Sequence, residues 1–207
     1  YTIQPMEMYN FKAYNNTIGI HVDGKAYNLG TTRIVVKPTM NGFLCAKKRW
    51  YRGLFIIQNL NNTLVLINNL PIEEYLLGVV PSEMPSGWSH EAHKAQAIAA
   101  RSYAIANRGK RSSRGYDLKD TPQDQAYGGA TSEKPATNKA VLDTQNIVVT
   151  YNQKIIPAYY HASSGGQTLN SSDIWYKDLP FIHSVPGYDG NVSKKGHGIG
   201  MSQHGAN

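Results

Sequence analysis

Glu83 stands in the stretch Pro81-Ser82-Glu83-Met84-Pro85, a carboxyl group set between two prolines. A glycosidic bond breaks through an oxocarbenium-like transition state, and its leaving oxygen needs a proton from a carboxylic acid held at raised pKa. One well-placed Glu can supply that proton. Most glycosidases pair two carboxylates, and no second acid here is obviously partnered with Glu83. A reaction in which the substrate's own hydroxyl replaces water as nucleophile manages with one. Taken alone, Glu83 reads equally as a structural residue in a turn. Downstream, His90, Lys94 and Arg101 recur at spacings of four and seven, which on a helix turns all three in roughly one direction. They form either a cationic face near Glu83 or a solvated polar one.

A second group of residues lies near the C-terminal end of the sequence. His161-Ala162-Ser163-Ser164-Gly165-Gly166 ends in two glycines, which permit a tight turn offering hydroxyls and amides to a ligand. A serine-hydrolase reading pairs Ser163 or Ser164 with His197 or His204 and an Asp, but the G-x-S-x-G elbow is lacking. His197 and His204 lie seven apart in GHGIGMSQHGA, and with His161 they would make a three-histidine zinc site. Their spacing matches none of the compact zinc signatures. Polar residues lining a cleft are expected instead, among glycines that allow close backbone packing or close approach of a ligand.

Elements must position these groups. From Tyr9 to Ile67, runs such as YNNTIGIHV, TRIVVK, GLFIIQ and TLVLIN read as β-strands joined by tight turns, with a hairpin across Asn61-Asn62. Pro71 to Leu77 starts a short helix that ends near Gly78, and Pro81 and Pro85 argue against helix through Glu83. Ser89 caps the next helix, His90 to about Asn107, stopped by Gly109; its alanines let another element approach closely. Beyond it come a loop from Gly109 to Gly129, a helix from Ala136 to Thr144, and a hairpin across Asn152-Gln153. The fold class is α+β: an N-terminal β-rich layer followed by a mixed α/β core around a central Ala-rich helix.

Composition sets the bounds. The 207 residues are 41% hydrophobic, enough for one well-buried core and one functional unit. Tyr dominates the aromatics, at 14 against 4 Phe and 3 Trp, and with the Asn-rich stretches it suits a sugar-binding surface as well as β-strands. The net charge of +7 attracts polyanions of any kind. The densest basic run, Arg108 to Arg114, reads as a solvated surface loop, and no nucleic-acid recognition motif is present. The single cysteine, Cys45, excludes an intrachain disulfide and reads as a small core residue. No stretch approaches the apolar length of a membrane span and no signal peptide opens the chain. The start at Tyr1 and the stop at Asn207 directly after a dense motif read as a piece of a longer protein, which leaves room for a signal or membrane anchor outside it.

Five segments together resemble the stage II sporulation protein D family, which includes amidase-enhancer proteins: NNLPIEEYLLGVVPSEMPSGW (68 to 88), EAHKAQAIAARSYA (91 to 104), DQAYGG (124 to 129), AYYHASSGGQT (158 to 168) and GHGIGMSQHGA (196 to 206). They occur in the family's order. The resemblance implies a single domain over 1–207, with a β-rich subregion over 1–68 and a catalytic core over 69–207. It implies a lytic transglycosylase that cleaves between N-acetylmuramic acid and N-acetylglucosamine in peptidoglycan strands stripped of stem peptides. Glu83 would be the acid that then turns base, deprotonating the muramyl 6-hydroxyl to give a 1,6-anhydro product. Lys94 and Arg101 fall in the family's cleft, Arg101 holding Glu83 or binding substrate carboxylates and Lys94 binding sugar oxygens. Gln125, Tyr160, His161 and Ser164 would line the groove, with His197, Ser202 and Gln203 in the last motif.

Two departures stand out. Some family members bind zinc around the stretch matching Asp117 to Gln125, whereas this chain carries Lys119, Gln123 and Asp124; no metal and no cofactor are expected. Only Asp189 to Lys195 separate Tyr188 from the GHG motif, a shorter connection than usual in the family. The expected partners are glycan strands and an N-acetylmuramoyl-L-alanine amidase, without nucleic acid, in an extracytoplasmic location at the wall or the outer face of the membrane. A non-catalytic glycan-binding amidase enhancer is the alternative.

Overall fold

The computed structural model describes all residues except 1–3, 5, 41, 176 and 177. Helices and strands are both present, in segregated runs, so the fold is α+β. The chain divides into two compact units, Tyr1–Leu70 and Pro71–Asn207, and the division falls at the proline that opens the first helix.

The first unit is all β. Strands β1 (Asn10–Tyr14), β2 (Thr17–Val22) and β3 (Lys25–Asn28) form an antiparallel meander. A second three-stranded sheet sets β7 (Leu54–Leu60) between β4 (Arg33–Val36) and β8 (Thr63–Asn69), while β5 (Leu44–Ala46) and β6 (Arg49–Tyr51) make a separate ribbon. The turns at Asn15-Asn16, Lys47-Lys48 and Asn61-Asn62 have both central residues at positive φ, the twist that matches a two-residue hairpin. Asn15-Asn16 therefore splits the run YNNTIGIHV into two strands. Ile18, Phe55, Ile56 and Ile57 are buried, and Asn59 Nδ2 donates to the Thr17 carbonyl at 2.6 Å. Cys45, expected in a core, is exposed. It lies on the two-stranded ribbon opposite Trp50, itself exposed, and such a ribbon has no second layer to cover it.

The second unit packs three helices, α1 (Ile72–Glu83), α2 (His90–Ala106) and α3 (Pro135–Asp143). Leu76, Val79 and Val80 of α1, Ala92, Ala97 and Ala100 of α2, and Ala140 and Val141 of α3 are all buried in a unit where the three helices contact one another; small residues on α2 permit the close approach. Ser89 caps α2, its Oγ accepting from Ala92 N at 3.3 Å. Two further pairs of strands follow, the hairpin β9 (Thr150–Tyr151) and β10 (Lys154–Ile155), and the parallel pair β11 (Tyr160–His161) and β12 (Met201–Ser202). The hairpin strands are shorter than the sequence pattern suggests. Two short helices, α4 (Ser171–Trp175) and α5 (Gln203–Ala206), complete the unit.

The prolines do not end α1 where they were expected to: the helix runs through Gly78 and Pro81 to Glu83. Pro81 removes one helical N–H, but Met84 N still bonds the Val80 carbonyl at 3.0 Å. The Gly78 carbonyl receives Ser82 Oγ at 2.7 Å, Ser132 Oγ at 3.1 Å and Gly128 N at 3.3 Å. Gly78 is there for proximity rather than termination, since a Cβ at this position would lie 2.5 Å from the Tyr127 ring. The basic run Arg108 to Arg114 is likewise more than a solvated loop. Lys110 Nζ and Arg111 Nε each donate to the buried Asp124 carboxylate at 2.8 Å, and Lys119 N adds a bond of 2.9 Å. Burial would raise the Asp124 pKa, yet the bonds from Arg111, Lys110 and Lys119 outweigh it and bring it down to about 2.

Candidate active site

Glu83 closes the last turn of α1, half-buried against β11 and the 125–126 segment. Its Oε1 accepts from Ala126 N at 2.6 Å and from the Tyr160 hydroxyl at 3.2 Å, while Oε2 has no hydrogen-bond partner among the described residues. Burial raises the Glu83 pKa, and the two hydrogen bonds from Ala126 and Tyr160 offset only part of that effect. The result is a carboxyl group that holds its proton more tightly than an ordinary glutamate, with one oxygen open. No ion pair to it occurs among the described residues. Its backbone carbonyl accepts from Gln203 Nε2 at 3.2 Å, and the same nitrogen reaches Gln96 Oε1 at 3.2 Å, which ties the end of α1 to α2 and α5.

Of the candidates read from sequence, Gln125, Tyr160 and Gln203 converge on Glu83. Gln125 is fully buried, with its amide bonded to Tyr75, Ala100 and Tyr160, so it reaches the carboxyl through the Tyr160 ring rather than through a ligand. Arg101 does not join them. It is 1% exposed, and its Nε and Nη2 bond both Glu73 oxygens at 2.8 and 2.7 Å, with Nη1 on the Ile147 carbonyl at 3.0 Å. It therefore staples α1 to α2 from the inside and neither holds Glu83 nor faces a ligand. Lys94 pairs with Glu91 at 3.1 Å and His90 with Asp143 at 2.8 Å, so the residues of the supposed cationic face go to three different acidic partners.

Of the C-terminal candidates, Ser164 and Ser202 gather around Asp189, a buried residue with no signal in the sequence. Its carboxylate accepts from Ser164 N and Ser202 Oγ, each at 2.5 Å, from Gly166 N at 3.2 Å, and from Ser164 Oγ. Burial would raise its pKa, but these donors, led by Ser164 and Ser202, hold it well below the usual carboxylate range. Ser164 and Ser202 are thus spent on joining the two glycine-rich motifs. Only its place between those motifs could have flagged Asp189, and no spacing rule does so.

Successive side chains on a strand point to opposite faces, so His161 turns away from the side on which Tyr160 meets Glu83. Its Nδ1 donates to the Ile199 carbonyl at 3.1 Å. Its ring lies 5.7 Å from that of His197, which in turn stands 6.0 Å from Trp175 and 6.4 Å from Tyr159. Burial lowers the pKa of both histidines, and His161 adds to the effect on His197. His204 is elsewhere, its ring 4.8 Å from Trp88. The three histidines therefore do not meet at one point, and among the described residues no group of three or more His, Cys, Asp or Glu is placed to hold a metal. No described helix is long and apolar enough to cross a membrane.

Comparison with known proteins relates this arrangement to a family. Residues 60–151 match the family described as SpoIID, stage II sporulation protein. An uncharacterised protein of Brachyspira hyodysenteriae is 31% identical over 171 residues, 82% of this chain and 44% of that protein. The amidase enhancer of Bacillus subtilis is 43% identical over 107 residues, 52% of this chain and 14% of its own length. Stage II sporulation protein D of Bacillus amyloliquefaciens is 37% identical over 135 residues, 58% of this chain and 39% of that protein. The chain thus spans less than half the length of each of these relatives. The matched segment, less than half of this chain, holds Glu83, the Ala-rich helix and Gln125, and over it the chain matches the stage II sporulation protein D family.

Proposed function

We propose that this chain is a lytic transglycosylase of bacterial cell-wall remodelling. It cleaves the bond between N-acetylmuramic acid and N-acetylglucosamine in glycan strands, those stripped of stem peptides above all, with Glu83 as its one acid and base. The observation that supports this most is the carboxyl group itself: raised in pKa by burial, held by donors on one oxygen and open on the other. A protonated Glu83 gives its proton to the leaving N-acetylglucosamine oxygen as the C1–O bond breaks and positive charge develops on the muramyl ring. The resulting carboxylate then takes the proton of the muramyl 6-hydroxyl while that oxygen bonds C1. The ring closes as a 1,6-anhydro end, the acid is restored, and no water is consumed. A single carboxylate suffices because the nucleophile is part of the substrate.

The names of the relatives agree with a role at the wall, and one of them carries the name amidase enhancer. A partner N-acetylmuramoyl-L-alanine amidase, which would strip the strands, and an extracytoplasmic location follow from that reading. The same name favours one alternative, a glycan-binding module that stimulates the amidase without cutting. Mass spectrometry of wall digests separates the two. Wild type is expected to release anhydro-terminated fragments from amidase-stripped strands, and Glu83→Gln none while still binding them. Anhydro products from Glu83→Gln refute the assignment of the acid. Binding and amidase stimulation without products from wild type would leave the enhancer reading.

A further inference from the structure

Around Glu83 lies a chain of hydrogen bonds whose directions are fixed by groups that can act in one sense only. The Ala100 carbonyl can only accept, and it lies 3.2 Å from Gln125 Nε2; the flipped amide would set two acceptors against each other. The amide nitrogen therefore faces Ala100, and its second hydrogen goes to the Tyr160 hydroxyl oxygen at 3.0 Å. Gln125 Oε1, on the other side, takes the Tyr75 hydroxyl at 3.2 Å. Tyr160, with its oxygen already receiving a donor, has a single hydrogen to place, and the acceptor within reach is Glu83 Oε1 at 3.2 Å. Ala126 N, the residue after Gln125, is a donor only and reaches the same oxygen at 2.6 Å. Two donors thus converge on Oε1, and a proton on that atom would meet both.

We infer that Gln125 is a positioning residue: its amide locks the Tyr160 hydroxyl as a donor toward Glu83 Oε1, and the acid proton of Glu83 is thereby confined to Oε2. This rests on Glu83 being the acid of the proposed reaction. Oε2 then performs both transfers, giving its proton to the leaving oxygen and taking one from the 6-hydroxyl, while Oε1 stays in the protein's grip throughout. Fixing the proton on the open oxygen before substrate arrives removes a rotamer search from the reaction and is a form of preorganisation. The assignment found in the sequence for Gln125, contact with sugar, is replaced by one a buried and fully bonded amide can perform. The titratable groups that face the Glu83 carboxyl are Tyr160 from β11 and, two hydrogen bonds further through Gln125, Tyr75 from α1. Both stay protonated, because burial raises each of them above its ordinary range, so Glu83 is the group that titrates.

The test reads the carboxyl directly, by ¹³C NMR titration of Glu83 in protein labelled at glutamate carboxyl carbons, assigned by its loss in Glu83→Gln. Four proteins are compared: wild type, Tyr160→Phe, Gln125→Met and the double variant. Tyr160→Phe removes a bond that favours the carboxylate, so the Glu83 midpoint moves to higher pH. Gln125→Met, which keeps volume but frees the Tyr160 hydroxyl to turn, moves it the same way and adds nothing in the Tyr160→Phe background. A Gln125→Met midpoint equal to wild type, or an equal shift in both backgrounds, overturns the inference. If Gln125→Met does not fold, Tyr160→Phe decides alone, since no upward shift there means Tyr160 is not the donor. Activity is scored separately on amidase-stripped strands. Coupled midpoints in a protein that yields no anhydro product would leave the positioning intact and defeat the enzyme reading; anhydro product with uncoupled midpoints would do the reverse.

Discussion

Replacing Arg101 by Ala tests whether this residue belongs to the fold or to the ligand. The guanidinium is 1% exposed and makes two bonds to Glu73, at 2.8 and 2.7 Å, and three to carbonyls, at 3.0 Å on Ile147, 3.3 Å on Val141 and 3.5 Å on Ala97. Truncation strands a carboxylate that is itself only 20% exposed at its side chain, besides removing a donor from three carbonyls. Breaking a buried pair by removing one partner costs about 3–5 kcal/mol, and the partial exposure of Glu73 argues for the lower end of that range. For a domain of this size that is a fall in melting temperature on the order of 10 °C. Thermal unfolding followed by circular dichroism at a helix wavelength, with and without glycan strands, measures it. Arg101→Lys should recover little, since an ammonium cannot make the two parallel bonds. An Arg101→Ala protein that melts within about 2 °C of wild type but no longer binds strands would refute this reasoning and return the residue to the ligand.

Asp189→Asn sets an amide among the Ser164 and Ser202 hydroxyls and the amides of Ser164 and Gly166, all of which donate to the native carboxylate. A loss of about 3 kcal/mol is expected in urea unfolding, larger than for either serine changed singly to Ala. The Asp189 pKa is depressed in the fold, so its stabilisation is present above the unfolded value, 3.8, and fades as pH falls below it. His161 acts at higher pH and by the opposite chemistry. Its folded pKa lies below the unfolded 6.5 because burial disfavours the charged ring, so the unfolded state takes up more protons as pH falls through 6.5 and the fold loses stability. Melting temperatures from pH 7.5 down to 5 should therefore fall in wild type and fall less in His161→Gln; parallel curves would exclude His161 as the source.

Much of the local structure was legible from residues alone. The hairpins at Asn61-Asn62 and Asn152-Gln153 follow from residue pairs able to hold positive φ, and all four are found there. The capped Ala-rich helix begins and ends within a residue of the range expected, His90 to about Asn107, because capping by Ser89 and the small-residue face are local properties. Glu83 was found from its motif, but its setting was not. Two prolines read as helix breakers, yet the helix runs to Glu83: Pro81 costs only the bond its N–H would give the Leu77 carbonyl, and the neighbouring Gly78 carbonyl is held by Ser132 and Gly128, from some fifty residues away. Long-range satisfaction of that kind leaves no mark within the helical segment.

Partner choice was likewise decided only in three dimensions. The spacing of His90, Lys94 and Arg101 correctly puts them on one helix, but whether a cation meets a ligand, a neighbouring carboxylate or Glu83 depends on what packs above it. Arg101 meets Glu73 on α1, whereas His90 reaches α3. Asp189 carried no signal in a seven-residue connection, and it became the anchor of two motifs because the fold closes them around it. Motifs record which groups the chemistry needs, since those types are few. Burial, hydrogen-bond direction and the choice between two carboxylate oxygens arise from contacts between distant segments, and only the tertiary structure sets them.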